Sequence, residues 1–347
     1  MRLLMAATLL AFLAVVLAVP ASAAQGEGSR QTFIVVLKDS VAEGSLGALL
    51  ADDRVASIER DAEVTAFETG ATWGVDRIDQ RALPLSGSFT YTKTGAGVKA
   101  YIIDTGILTS QNEFGTRAVH GSDTVDGSLP ATDCNGHGTH VAGTVGGATY
   151  GVAKGVTLVA VRVLSCSGSG TTSGVIAGVD WVTGNHGQSA VANMSLGGGA
   201  SSSLDTAVRN SIADGVSYAI AAGNGNLIGR HEDACKKSPA RVTEAMTIGA
   251  TDQTDKKASW ANYGNCVDWF APGVGITSAW YTSSMATNTI SGTSMATPHT
   301  AGVAALYLQF DPGASPATVR DALYANTTNG IVTSSRTTNN HLLFTNY

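Results

Sequence analysis

Four long, largely apolar runs constrain this chain most: Val98–Ile103, Val156–Leu164, Val191–Leu196 and Val216–Ala222. Each stops at an aspartate or at a turn of small residues. A strand exposed on one side alternates apolar with polar residues, whereas runs of this kind need cover on both faces, as in a parallel sheet between helices. Helical stretches fall between and after them, at Thr139–Val145, Val175–Thr183, Leu204–Asp214 and Met295–Leu308. A last helix, Pro316–Tyr324, has Ser315 as its N-cap and proline at its first position. The alternation predicts an α/β fold around a central, mostly parallel sheet. Ligands bind beyond the carboxyl ends of such strands, and Asp104, Ser195–Gly199 and Asn224 all stand at such ends. With 347 residues, 41 glycines and only 14% charged side chains, the chain can bury one large core with short turns and carry a small accessory unit. A net charge of −6 leaves no basic footprint for nucleic acid.

The first 23 residues read as a secretory signal. Arg2 is the positive flank, Leu3–Val19 the apolar run and Ala21-Ser22-Ala23 the cleavage site. A membrane anchor is the rival reading, and the polar stretch that follows favours cleavage. No other segment approaches a spanning length. Residues 24–69 form a charged segment with strands at Thr32–Leu37 and Val55–Ile58 and a short helix, Leu46–Ala51, between them. The main domain is read as 70–347. Cys134, Cys166, Cys235 and Cys266 suggest disulfides in a secreted chain, with three pairings open, and no CxxC spacing supports a metal site. Asn326-Thr327-Thr328 is a sequon expected to be exposed, while Asn193-Met194-Ser195 lies on an apolar strand and is expected to be buried.

Three short segments carry chemistry: Ile102-Ile103-Asp104-Thr105-Gly106, Asn135-Gly136-His137-Gly138-Thr139-His140 and Gly292-Thr293-Ser294-Met295-Ala296-Thr297-Pro298-His299. A serine hydroxyl needs a neutral imidazole to take its proton. The imidazole needs a carboxylate to set its tautomer and stabilise its cation. Ser294, His137 and Asp104 fill those roles, in an order known for one class of serine hydrolase. Ser294 stands at a helix start, where its own N–H can bind a developing oxyanion, and Asn224 can supply the second donor. An aspartic protease would need a second Asp-Thr-Gly or Asp-Ser-Gly, which the chain lacks. Zinc at His137 and His140 lacks an HExxH pattern. His140 and His299 read as structural histidines, and Asp123, Asp126 and Asp133 as loop residues.

From about Trp73 onward, these three blocks resemble the subtilisin-like serine proteases, most closely the proteinase K group and its aqualysin-like secreted members. The resemblance implies a three-layer subtilisin-like fold and a secreted serine endopeptidase acting on proteins and peptides, with no nucleic-acid or membrane partner, as a monomer. It implies the pairings Cys134–Cys166 and Cys235–Cys266, each closing a loop worth roughly 3–4 kcal/mol of chain entropy. It implies structural calcium, held by Asp268 with the carbonyls of Thr243 and Ala245, and at a second site by Asp76, Asp79 and Gln80; carboxylate and carbonyl oxygens suit that ion. Solvated surface acids are the competing reading of both sets. Ser195-Leu196-Gly197 and Ala221-Ala222-Gly223 would line the cleft for the residue before the scissile bond. Gly168, Ser169 and Gly170 would pair with an extended substrate as an added strand. These walls are small and uncharged, which predicts broad tolerance with preference for large apolar or aromatic residues. The absence of acidic residues from these segments argues against dibasic processing.

Residues 24–69 resemble an inhibitor-type propeptide of secreted subtilases, so the chain is read as a zymogen whose propeptide is its own inhibitor. The middle strand–helix–strand portion is missing, so the segment is either a shortened propeptide or a misassigned reading of the gene. Release of the mature enzyme is expected near Phe67–Ala71. A non-catalytic binding protein on the same fold is the runner-up, disfavoured by the presence of Asp104, His137, Ser294 and Asn224 together.

Overall fold

The computed structural model describes residues 70–226 and 230–347 in full, and as backbone the strands Ala14–Ala18, Thr32–Leu37, Val55–Arg60 and Ala66–Thr69. Two compact units divide the chain, Met1–Val64 and Thr65–Tyr347. In the first, the three strands pair antiparallel in chain order. The two strands expected from the sequence in that unit are present. The expected helix Leu46–Ala51 lies outside the described residues, as does most of the signal segment. The second unit begins upstream of the expected boundary at 70 because Ala66–Thr69 pairs antiparallel with Ser88–Tyr91.

Nine strands make the main sheet of the second unit: β1 (Lys99–Asp104), β2 (Ala118–Asp123), β3 (Thr157–Arg162), β4 (Ala190–Met194), β5 (Ser217–Ala221), β6 (Met246–Thr251), β7 (Trp269–Pro272), β8 (Thr328–Asn329) and β9 (His341–Leu342). Their order is β8-β9-β7-β6-β5-β4-β1-β3-β2. All neighbours are parallel except the edge pair β8–β9. From β1 the chain moves one way to β2 and β3, then crosses back to β4, so the crossover falls beside the end of β1.

Strand periodicity sends alternate residues to two cores. Ala100, Ile102, Leu158 and Ala160 face one side with α2 (His137–Gly146), α5 (Thr293–Phe310) and α6 (Pro316–Asn326). Tyr101, Ile103, Val159 and Val161 face the other with α3 (Thr172–Asn185) and α4 (Ser202–Asp214). A single turn of helix, α1 (Trp73–Ile78), adds Val75 and Ile78 to the first core. The result is a sheet between two helical layers, as the apolar runs require. Side-chain caps open three helices: Thr171 on Gly174, Ser201 on Leu204 and Ser315 on Thr318. The cysteines pair as Cys134–Cys166 and Cys235–Cys266. Asn193 is buried, and Asn326 is half-buried, with its amide bonded to Asn346 and Arg81. These bonds lie at the surface of the domain, where the sequon is expected.

Gly178 of α3 is a point of close approach between helix and sheet, because a Cβ there would fall inside the contact shell of Val163 Cγ1. Helix propensity favours alanine over glycine by about 1 kcal/mol. Overpacking a stiff, buried valine costs about 1–3 kcal/mol. The packing term wins, so Gly178→Ala lowers unfolding stability by ~1 kcal/mol in urea titration; a stabilised variant would mean the layers can separate freely.

Candidate active site

Asp104 is the last residue of β1 and is wholly buried. Its Oδ1 accepts from the Thr105 N–H at 2.7 Å and from His137 Nδ1 at 2.8 Å. His137 opens α2, and two glycines let it do so. Gly136 has φ of 111°, and a Cβ on it would enter the Trp280 ring. A Cβ on Gly138 would enter the Gly106 carbonyl. Asp133 then holds the helix start: Oδ1 accepts from the N–H groups of Asn135 and Gly136, and Oδ2 from Thr139 N and Oγ1. Asp133, expected to be a loop residue, is thus a buried anchor for the first turn, where a carboxylate suits the free N–H groups. Asp123 and Asp126 are likewise engaged, both with Arg162.

The Nδ1 contact leaves the other ring nitrogen to face the cleft, and the His137 side chain keeps 26% of its surface exposed. Burial of the ring pulls its pKa down. The charge and hydrogen bond of Asp104, with the charge of Asp133 behind them, outweigh burial and raise the pKa above the ordinary 6.5. His140 and His299 are pushed by burial to about 4 and so are neutral at pH 7; they bond to the carbonyls of Ile276 and Met295.

Ser294 is the second residue of α5. Pro298 in that helix has no N–H to give to the carbonyl four residues back. That carbonyl belongs to Ser294, and it accepts instead from Ser195 Oγ at 2.8 Å. In return Ser294 Oγ donates to the Ser195 carbonyl at 3.0 Å. Helix start and β4 end are thereby joined. Asn224, beyond β5, accepts at Oδ1 from Thr293 N at 2.8 Å and Thr293 Oγ1 at 2.9 Å. With its oxygen held this way, the Asn224 amide presents its NH2 as a donor.

Two adjoining hollows meet at Ser195–Gly199. One, of about 600 Å³, runs past His137, Leu164 and Gly168–Thr171. The other, of about 650 Å³, runs past Ala221–Asn224 and Ser294 to Glu232 and Lys237. The structure thus brings His137, Ser294, Asn224 and all the expected cleft segments to one groove. The walls read from sequence are small and uncharged; Glu232 and Lys237 add charge that those segments do not contain. Asn262 was also invisible to sequence reasoning. Its side chain donates to the Ala222 carbonyl and accepts from Gly225 N and Glu232 N, and its backbone N–H donates to Gly223 O. Cys134 and Cys166 tie the loop before His137 to the loop before Gly168, where Asn135 Nδ2 donates to Cys166 O.

The residues expected to hold calcium are placed differently. Asp268 Oδ2 accepts from Thr247 N, and Oδ1 from Arg320 at 3.2 Å. Asp76 accepts from Ser86 N, Ser86 Oγ and Gly87 N; Asp79 accepts from Thr90 N. Gln80 bonds to Ala82, Pro84 and Ser86. Among the described residues no group of three or more His, Cys, Asp or Glu side chains forms a metal-holding cluster. In this arrangement the Asp268, Asp76, Asp79 and Gln80 side chains are bonded to protein groups.

Asn262→Ala strands two N–H groups and a carbonyl around the Asn224 loop. An orphaned buried group costs about 1–3 kcal/mol, so the variant loses ~2–4 kcal/mol of unfolding free energy. A loss below 1 kcal/mol would mean water replaces the amide.

The sequence model of the Subtilase family matches residues 95–343. The extracellular serine proteinase of Thermus sp. (strain Rt41A) is 61% identical over 308 residues, 88% of this chain and 74% of that protein. Alkaline serine exoprotease A of Vibrio alginolyticus is 55% identical over 292 residues, 84% of this chain and 53% of that relative. A solved cold-adapted subtilisin-like serine proteinase superposes with a TM-score of 0.77 at 55% identity, covering 80% of this chain and 98% of that one. The three-layer α/β architecture and the three sequence blocks agree with these matches. The chain belongs to the subtilase family and is a serine-type endopeptidase.

Proposed function

We propose that the chain is a secreted endopeptidase that cleaves proteins through an acyl-enzyme, with Ser294 as nucleophile, His137 as base and Asp104 as its partner. The observation that carries this reading is the 2.8 Å bond from His137 Nδ1 to buried Asp104, at the groove that also holds Ser294 and Asn224. Ser294 Oγ turns from the Ser195 carbonyl and bonds to the substrate carbonyl carbon while its proton passes to His137 Nε2. The carbonyl oxygen becomes an oxyanion, held by the Ser294 N–H and Asn224 Nδ2. His137 then gives the proton to the leaving amine as the C–N bond breaks. Water repeats the sequence on the ester and frees the acid. The substrate backbone lies as an added strand beside Gly168, Ser169 and Gly170, with the residue before the scissile bond in the hollow between Ser195–Gly197 and Ala221–Gly223. That hollow suits large apolar or aromatic side chains.

Secretion is supported by the signal-like N-terminus and by the name of the Thermus relative. No helix of the described residues is long and apolar enough to cross a membrane. We read residues 24–69 as the propeptide of a zymogen, released near Phe67–Ala71, and the mature enzyme as a monomer. Calcium plays no part in the chemistry. Asp268 with the carbonyls of Thr243 and Ala245 would hold it only by releasing Arg320.

A fluorophosphonate probe should label the processed protein and fail on Ser294→Ala. No labelling of folded, processed chain would favour the non-catalytic reading. N-terminal mass mapping should find the mature end within Phe67–Ala71; an end far from that stretch would refute that placement. Since the raised His137 pKa must be exceeded to free its base, kcat/KM should rise with pH along a limb centred above 6.5. Asn224→Ala should lower kcat by ~10–150-fold, the worth of one hydrogen bond to a charged oxygen. Calcium should raise the Tm of Arg320→Ala more than that of the parent; equal shifts would show that Arg320 does not compete for Asp268.

A further inference from the structure

The hollow that holds Ser294 and Asn224 is also lined by a charged pair. Lys237 Nζ lies 2.7 Å from Glu232 Oε2, and the two side chains keep 30% and 35% of their surface. Among the described residues these are the charged side chains on that wall, which is otherwise alanine, glycine and small polar groups. Neither backbone is free to drift. Lys237 is paired with Gly199 in a short antiparallel ladder, and its carbonyl accepts from Arg241 N. Glu232 donates its N–H to Asn262 Oδ1 at 2.8 Å and accepts from Tyr263 N at 3.0 Å. The rest of the wall is uncharged, so Glu232 and Lys237 are where a bound side chain meets charged groups carried on a held backbone.

We propose that Glu232 and Lys237 are specificity-determining residues that together set the charge selectivity for the residue before the scissile bond. The inference rests on the proposed function, which puts that residue in this hollow. The pair is neutral as a whole, yet presents a donor and an acceptor. A long side chain with an uncharged polar end, glutamine or tyrosine, bonds to the pair without breaking it. A carboxylate or an ammonium at the same place must take one partner away from the other, and leaves that ion without its counter-charge. The parent enzyme therefore cleaves after glutamine and tyrosine alongside large apolar residues, and favours neither sign of charge. Removing one member unmasks the other. Like and unlike charges a few ångströms apart at a half-exposed site differ by roughly ten-fold in binding terms after screening.

The test is a set of peptides identical except for glutamate, glutamine, lysine or leucine before the scissile bond. The readout is the ratio of kcat/KM for glutamate to that for lysine within each protein, which cancels differences in folded fraction. In the parent this ratio should lie near one. Glu232→Gln should raise it roughly ten-fold, Lys237→Met should lower it roughly ten-fold, and the double variant should return it toward one. A ratio that moves less than two-fold in both single variants, or in the same direction in both, overturns the proposal. Where a variant fails to fold, the parent decides alone: glutamine cleaved within about ten-fold of leucine supports the pair's role, and a strong preference for either charge contradicts it. Failure of the underlying reading is distinct, because then no peptide of the set is cleaved and the fluorophosphonate probe does not label Ser294.

Discussion

The hydrogen bond between Asp104 and His137 is the constraint on which the site depends. A carboxylate taken wholly out of water is costly unless its oxygens are bonded. Asp104 meets that condition at Oδ1 alone, which takes both Thr105 N and His137 Nδ1 because the α2 start is driven against the end of β1, while Oδ2 is buried without a partner. Gly136 and Gly138 permit the approach, and Asp133 fastens the first turn. Remove the close approach and both the carboxylate and the imidazole lose their reason to be where they are. The same bond fixes which ring nitrogen of His137 carries the proton.

A second set of contacts fixes the start of α5 and the Asn224 loop. Proline at position 298 deprives the Ser294 carbonyl of its helical partner, and Ser195 takes the vacancy. Thr293 claims the Asn224 oxygen and so turns the amide nitrogen outward. Asn262 secures the loop behind it. Each of these is a polar group whose bonding need is met in one way, and the sum is a groove with donors set before a substrate arrives. Such preorganisation is what electrostatic stabilisation of a transition state requires.

Much of the layout could be read in the sequence because burial on both faces leaves long apolar runs. β1, β3, β4 and β5 and the helices α2 to α6 were legible in that way, within a few residues at each end. β2 was not, since it is the edge strand and its residues are largely half-exposed. β6 and β7 escaped notice because Thr247, Gly249 and Thr251 interrupt one and the other is short. Asp104, His137, Ser294 and Asn224 were legible because each sits in a short motif at a strand or helix end. Asp133, Asn262, Glu232 and Lys237 were not. Asn262 meets its site partners through pairings thirty or more residues apart, Lys237 is carried to the site by its ladder pairing with Gly199, and Asp133 holds Thr105 as well as its own turn. No periodicity marks pairings of that kind.

The central claim is that buried Asp104 raises the pKa of His137 through a bond to Nδ1. Site-resolved NMR titration of His137 tests it most directly, in the Ser294→Ala background so that the sample does not digest itself. The account predicts a pKa above 6.5 with the Nδ1 proton retained, and a fall when Asp104→Asn removes the charge and leaves burial to dominate. A His137 pKa at or below 6.5 with Asp104 intact, or one unmoved by Asp104→Asn, would contradict it.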